Sequence, residues 1–262
     1  MSRPPSTIVV ELRDPVLWIT LNRPEKLNSI TPQMIVEVET AIDAIDERVR
    51  CLVITANGRA FSAGGDLAAV TELASPNGEK ERVTAFHASI SALLRRIELL
   101  PLPVICAVNG LAVAGGLEIA AACDIVVASD QGIFGDAHAQ YGLLPGGGGS
   151  VRIPRKIGVN RAKYLMLTGR TVSAQTMADW GLVALVVPHA TLYDIVNELV
   201  GELTARSRTG LARMKSMIDA GDEQPLDVAL RNEQATTALH TFSPDYAEGL
   251  AAFKERRPPD FN

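Results

Sequence analysis

The chain has 262 residues, 47% hydrophobic and 21% charged, a composition that excludes a disordered protein and predicts one globular domain, with or without an appendage. Its formal net charge of -5 at pH 7 argues against a general nucleic-acid or membrane-surface binder and favours small-molecule chemistry. No apolar run reaches the ~18 residues of a membrane helix, and the first residues lack the apolar stretch of a signal peptide. We therefore expect a cytoplasmic protein.

Short apolar runs alternate with helical spacings along the first 190 residues. Strands are predicted at 8–12, 16–21, 51–55, 104–108, 124–128, 133–134 and 183–187. Helices are predicted to begin at the N-cap Thr31, to cover 83–97, and to contain Glu118. This alternation is typical of an α/β domain with crossover connections.

The strand signals stop after residue 187. Four helices are predicted beyond it, at 191–205, 209–220, 226–239 and 244–254, the last with Ser243 as its N-cap. We expect this helical tail either to pack on the core or to build a subunit interface.

The cysteines show no metal or disulfide spacing. Cys51, Cys106 and Cys123 each lie in an apolar run, which predicts buried, reduced thiols in a reducing compartment and no metal site.

Two glycine turns are the most informative motifs. Gly64-Gly65 follows the strand predicted at 51–55, and Gly115-Gly116 follows the strand predicted at 104–108. Each turn precedes a predicted helix, so each can present a free backbone N–H. Two such donors at one point would hold a carbonyl oxygen as it becomes an oxyanion, although glycines can also serve only as turn residues.

Glu118 follows the second turn within a helix that is otherwise apolar. Its carboxylate is predicted either to lie in a pocket as a general acid or base, with burial raising its pKa, or only to complement the helix dipole.

Over nearly its whole length the chain resembles the crotonase superfamily, also called the enoyl-CoA hydratase/isomerase family. Each motif is weak alone, but their joint order is specific. The motifs are Asn22-Arg23-Pro24 with Asn28, Ala60-Phe61-Ser62-Ala63-Gly64-Gly65-Asp66-Leu67, Asn109-Gly110, Ala114-Gly115-Gly116-Leu117-Glu118, Cys123-Asp124, Phe134 with Gly142 and Pro145-Gly146, Leu167-Thr168-Gly169, Trp180-Gly181-Leu182-Val183, and Phe253 with Arg256.

The resemblance implies a fold and an assembly. Residues 1–190 would form an α/β core, a crotonase-like spiral of ββα turns that carries the acyl-CoA site. Residues 191–262 would form a C-terminal helical trimerisation region, and two trimers could stack into a hexamer.

The resemblance also implies roles for the two turns. The thioester carbonyl of an acyl-CoA would lie between the N–H groups of Gly65 and Gly115, and Glu118 matches the first of two catalytic glutamates. The second glutamate is missing, and His138 stands at its position. An imidazole could serve as the partner acid or base or could only line the pocket, and Asp136 could orient it or act independently.

For coenzyme A, the family pattern points to loops after the first strands and to the tail. The residues at the matching positions are Lys26, Leu27, Ala63, Asp66 and Leu67, with Lys254 and Arg256 as candidates from a neighbouring subunit. No cofactor is implied, because coenzyme A is part of the substrate. The glycine run at 145–150 lacks the Lys-Ser/Thr of a phosphate-binding loop, so we expect it to pack closely beside the acyl pocket.

These features predict an enzyme that stabilises a thioester enolate, most simply a hydratase that adds water to a 2-enoyl-CoA. Double-bond isomerisation, thioester hydrolysis and carbon–carbon cleavage remain open on the same scaffold, as does a non-catalytic acyl-CoA-binding protein. The helix around 73–80 is expected to set the depth of the acyl pocket, and the acyl chain length stays open.

Overall fold

A computed structural model of the protein describes residues 6–68 and 80–261. Within these ranges, ten strands lie in two sheets. In chain order they are β1 Ile8–Arg13, β2 Val16–Leu21, β3 Cys51–Ala56, β4 Ala60–Ser62, β5 Val104–Val108, β6 Leu111–Val113, β7 Ile125–Ser129, β8 Ile133–Gly135, β9 Thr171–Ser173 and β10 Leu185–Val187. All strands that the sequence predicts are present.

The α-helices within the described ranges are α1 Pro32–Asp43, α2 Lys80–Glu98, α3 Gly115–Ala122, α4 Gly149–Ile157, α5 Val159–Thr168, α6 Ala174–Trp180, α7 Leu192–Thr204, α8 Arg208–Glu223, α9 Leu226–His240 and α10 Pro244–Glu255. Both predicted N-caps are confirmed. The side chain of Thr31 accepts a hydrogen bond from the amide of Met34, and that of Ser243 accepts one from the amide of Tyr246.

The larger sheet has the order β1-β2-β3-β5-β7-β10 and is parallel except for the β1–β2 hairpin. β3 and β5 are buried along their whole lengths, as expected of central parallel strands with both faces covered. Apolar residues of α1 and α2 form part of the main core cluster, and α7 packs on the other face. All three cysteines are buried and free, as predicted, and burial raises the pKa of the Cys51 thiol to about 12.

The smaller sheet, of order β4-β6-β8-β9, is where the sequence prediction falls short. The sequence gives no signal for β4, β6 and β9, because a three-residue strand shows too little alternation to be recognised. Helices α5 and α6 were not predicted either. The glycine turns therefore directly follow β4 and β6, rather than the long strands β3 and β5.

The helical tail divides into two parts. Its first helix, α7, buries Leu192, Val196 and Val200 against the large sheet. By contrast, α8 and α9 contain no fully buried residue, and α10 buries only Ala252. These last helices carry exposed apolar side chains, namely Met214, Ile218, Leu226, Leu230, Leu239, Leu250 and Phe253. In the described ranges, no helix is both long and apolar enough to cross a membrane.

Candidate active site

Three chain segments with candidate residues leave the smaller sheet at the same edge. β4, β6 and β8 are neighbours and run parallel, with Ala60 opposite Leu111 and Leu111 opposite Ile133. Because the carboxyl ends of parallel neighbours lie side by side, the segments that follow them come together. The fold thereby brings the turns of Gly65 and Gly115 beside the segment of His138.

The two glycine turns touch each other. A Cβ atom on Gly64 would lie 2.9 Å from the amide nitrogen of Gly115, and one on Gly115 would lie 3.2 Å from the Cα of Gly64. Side chains at these two positions would force the turns apart, so the close approach requires glycine.

The amide of Gly65 has no hydrogen-bond partner among the residues that the structure describes. Its β-bridge to Ile30 uses the flanking residues, because the amide of Ile30 donates to the carbonyl of Gly64 at 2.8 Å and that of Asp66 donates to Ile30 at 2.9 Å. In such a bridge the N–H of Gly65 points away from Ile30. Within the described part of the chain it has no hydrogen-bond acceptor.

The amide of Gly115 is also unpaired among the described residues, because Gly115 is the first residue of α3. The helical hydrogen bonds begin with the amide of Glu118, which donates to the carbonyl of Ala114 at 3.0 Å. The positive end of the helix dipole therefore lies at Gly115.

Glu118 is buried, with only 3% of its surface exposed. Its Oε1 accepts hydrogen bonds from the amides of Gly147 and Gly149, both at 2.8 Å, at the N-terminus of α4. Among the described residues Oε2 has no hydrogen-bond partner. A Cβ atom on Gly147 would lie 2.7 Å from Oε2, and one on Gly149 would lie 3.0 Å from Oε1, so the glycine run can surround the carboxylate only because it lacks side chains.

Sequence reasoning predicted close packing for this glycine run but did not connect it to Glu118. A signal was present, because glycines that open a helix expose amides able to bind an anion.

The pKa of Glu118 is raised above its ordinary value. Burial is the largest cause, because it disfavours the charged form. The two amides and the positive charge of His138 act in the opposite direction, while the charge of Asp136 adds to the rise. Glu118 can therefore hold a proton more readily than an exposed glutamate, as a general acid or base requires.

A second layer of contacts holds the glycine run in place. Arg152 donates to the carbonyl of Gly147 at 2.7 Å, and its other guanidinium nitrogens reach the two carboxylate oxygens of Glu98 at 3.1 and 3.0 Å. This bidentate ion pair with Glu98 fixes the orientation of the Arg152 guanidinium. No sequence motif indicates a role for Arg152 or Glu98.

His138 is partly buried beside Asp136. Asp136 has 2% of its surface exposed, and its Oδ1 accepts a hydrogen bond from the backbone amide of His138 at 3.2 Å. Its Oδ2 lies 3.1 Å from Nδ1 of His138. Burial lowers the pKa of His138, but the carboxylates of Asp136 and Glu118 outweigh that effect, and the net pKa is raised.

The residues predicted to contact coenzyme A stay predictions, although the fold groups five of them. The amide of Ala63 donates to the carbonyl of Leu27 at 2.9 Å, and the exposed Lys26 precedes that residue. Asp66, which precedes the exposed Leu67, accepts a hydrogen bond from Arg23 at 2.9 Å.

The two tail candidates for coenzyme A lie elsewhere. Lys254 and Arg256 are exposed at the end of α10. Most of the segment predicted to set the pocket depth, around 73–80, lies outside the described residues.

Comparisons with known proteins give a consistent assignment. The family model described as enoyl-CoA hydratase/isomerase matches residues 11–262. A 1,2-epoxyphenylacetyl-CoA isomerase from Escherichia coli K12 is 36% identical over 249 residues, 94% of each chain. A 2,3-dehydroadipyl-CoA hydratase from the same organism is 31% identical over 258 residues, 98% of each chain. An enoyl-CoA hydratase structure from Bacillus anthracis superposes with a TM-score of 0.92 at 33% identity, covering 97% of this chain and 98% of that one. The chain therefore belongs to the enoyl-CoA hydratase/isomerase family, the crotonase superfamily.

Proposed function

We propose that this protein is an acyl-CoA enzyme that stabilises a thioester enolate and adds water to a 2-enoyl-CoA, giving a 3-hydroxyacyl-CoA. The observation that carries the proposal is Glu118, a buried carboxylate with one oxygen fixed by two amides and the other without a partner among the described residues. The charge of His138 acts on Glu118, and His138 is a second group that can exchange a proton. Hydration needs two such groups, one to take a proton from water and one to give a proton to the α carbon.

In the proposed reaction the thioester oxygen accepts hydrogen bonds from the amides of Gly65 and Gly115. Glu118 takes a proton from water as the water oxygen bonds to the β carbon, and the double-bond electrons move to give the enolate. The imidazolium of His138 then donates its proton to the α carbon. The proton on Glu118 and the proton lost by His138 are re-equilibrated with solvent, so the cycle consumes one water.

The unpaired amides of Gly65 and Gly115 support the oxyanion part of the proposal. They belong to turns in contact with each other, and one lies at a helix N-terminus, where negative charge is stabilised. Each donor of this kind contributes about 3 kcal/mol to the stability of the charged state.

Double-bond isomerisation is the second candidate. It needs only one group that removes a proton and returns it elsewhere, a role that Glu118 alone could fill, and one of the relatives described above is named an isomerase. Thioester hydrolysis, carbon–carbon cleavage and binding without turnover would use the same two amides.

The test is product analysis with short, long, branched and aromatic 2-enoyl-CoA thioesters. A product heavier by one water supports hydration, whereas an unchanged mass with a changed absorbance spectrum indicates isomerisation. Free coenzyme A indicates thioester hydrolysis, and a shorter acyl-CoA indicates carbon–carbon cleavage. The absence of any product across the set, with acyl-CoA still bound, would favour the non-catalytic protein and overturn the proposal.

We also propose that the protein assembles as a trimer or a dimer of trimers. The exposed apolar residues of α8 to α10 support a subunit contact, because large apolar patches are rarely left open to water. In such an assembly Lys254 and Arg256 of one subunit would lie near the coenzyme A bound by another.

A further inference from the structure

The side chain of Asp136 has a feature that the proposed reaction leaves unexplained. It is a carboxylate with 2% of its surface exposed, and a buried carboxylate is unfavourable without a positive partner. Among the described residues the ion pair of Asp136 is with His138, at 3.1 Å from Oδ2 to Nδ1. Neither of these two buried atoms makes a hydrogen bond of standard geometry within the described ranges, so the 3.1 Å ion-pair contact is what each has in this site.

The backbone between the two residues is bent to make this pairing possible. Ala137 has φ 61°, a left-handed conformation that residues other than glycine rarely adopt. It caps the short 3-10 helix that begins at His138, so the chain turns directly after Asp136. Such strained residues persist where surrounding contacts hold them, and they cluster at functional sites.

We propose that Asp136 is a positioning residue that holds Nδ1–H of His138, so that Nε2 is the ring atom that exchanges a proton with the substrate. A carboxylate on one imidazole nitrogen fixes the tautomer, the ring orientation and the positive form of the ring. This inference rests on the proposed function, because it assigns His138 the role of proton donor. It also explains how a histidine replaces the family's second glutamate, since the pair of Asp136 and His138 supplies a proton without adding an unpaired charge.

The charges around His138 agree with this role. Asp136 and Glu118 are the charged groups that act on it, and both favour the imidazolium. Within the part of the chain that the structure describes, the charges that act on the ring of His138 are therefore both negative. Losing the charge of Asp136 would leave Glu118 alone to hold the proton on the ring.

The variant that tests this is Asp136→Asn, which keeps the shape and the Oδ1 acceptor for the amide of His138 but removes the charge. Nitrogen-15 NMR of labelled histidine, assigned with His138→Gln, reads the ring directly in the enzyme without substrate. We expect the titration midpoint of His138 to fall by about 1 to 3 pH units. An unchanged midpoint would overturn the proposal, whatever reaction the enzyme catalyses.

Kinetics give the second readout. Asp136→Asn should lower kcat about 10- to 100-fold with little change in KM, and the alkaline limb of the pH–rate profile should move to lower pH. In a His138→Gln background the same change should alter kcat by less than about 2-fold, because Asp136 acts through His138. Equal losses in both backgrounds would show that Asp136 has a role independent of His138.

The chain offers a matched control in Asp130. Its Oδ1 also accepts a hydrogen bond from the backbone amide of a histidine, His189, at 3.0 Å, in a different part of the fold. Asp130→Asn should leave both the His138 midpoint and kcat unchanged. The Asp136→Asn variant can lower the His138 midpoint even if no hydration product forms with any thioester. In that case the pairing of Asp136 with His138 is supported and the proposed hydration is refuted, so failure of one proposal can be told from failure of the other.

Discussion

Replacing Glu118 separates what its carboxylate does for folding from what it does for chemistry. Oε1 accepts hydrogen bonds from the amides of Gly147 and Gly149 in a buried site. In Glu118→Ala both donors lose their acceptor. Each buried donor left unpaired costs about 1–3 kcal/mol, so the free energy of unfolding should fall by about 2–6 kcal/mol.

Glu118→Gln should behave differently. The side-chain carbonyl can still accept both hydrogen bonds, and the variant no longer buries a charge, which offsets the weaker neutral bonds. We expect its free energy of unfolding to lie within about 1.5 kcal/mol of the wild type. Neither variant can take a proton from water, so kcat should fall about 10²- to 10⁴-fold in both.

The measurements are urea unfolding, steady-state turnover with the best enoyl-CoA found in the product screen, and the Kd of a saturated acyl-CoA. Glu202→Ala, at an exposed glutamate in α7, serves as the control and should change stability by less than about 0.5 kcal/mol. Equal stability of the Ala and Gln variants would refute the argument from the two amides. An undiminished kcat for Glu118→Gln would refute the proposed mechanism.

Three further predictions test other parts of the site and the assembly. Gly65→Ala adds a methyl at an ordinary contact distance from the side chain of Phe86 and should be tolerated. Gly115→Ala brings a Cβ within 2.8 Å of the side chain of Ile30 and should lower both the melting temperature and kcat. Similar melting temperatures and kcat values for the two variants would contradict this expectation. Burial raises the pKa of Glu118, and neighbouring carboxylates outweigh burial to raise the pKa of His138. Both groups therefore bind protons more tightly in the folded chain than in the unfolded chain. Their stabilising contribution is thus complete below the ordinary pKa values, 4.5 for Glu118 and 6.5 for His138, and is lost as the pH rises through the raised pKa values of the folded chain. The urea midpoint should therefore decline as the pH rises above these ordinary values, less steeply in the Glu118→Gln/His138→Gln double variant; an equal slope in both proteins would refute the linkage. Sedimentation should show a trimer or hexamer at micromolar concentration, and a stable monomer would count against the proposed contact through α8 to α10.

The longer elements of this protein could be read from its sequence. Runs of four or five consecutive apolar residues bounded by turn signals marked β3 and β5, and helical spacing with side-chain N-caps marked α1 and α10. These signals are local, because each depends on residues within one or two turns of chain. The ordered motifs added the family, and with it the candidate roles of Gly65, Gly115, Glu118 and His138.

Contacts between segments far apart in the chain could not be predicted from the sequence. The pairing of β4, β6 and β8 sets the edge at which the site segments meet, and three-residue strands carry no recognisable period. The amides of Gly147 and Gly149 reach Glu118 across about 30 positions because α4 starts beside α3, a relation that no local pattern records. The residue types available to the site are local information, whereas the environment that sets the pKa values of Glu118 and His138 exists only once the chain has folded around them.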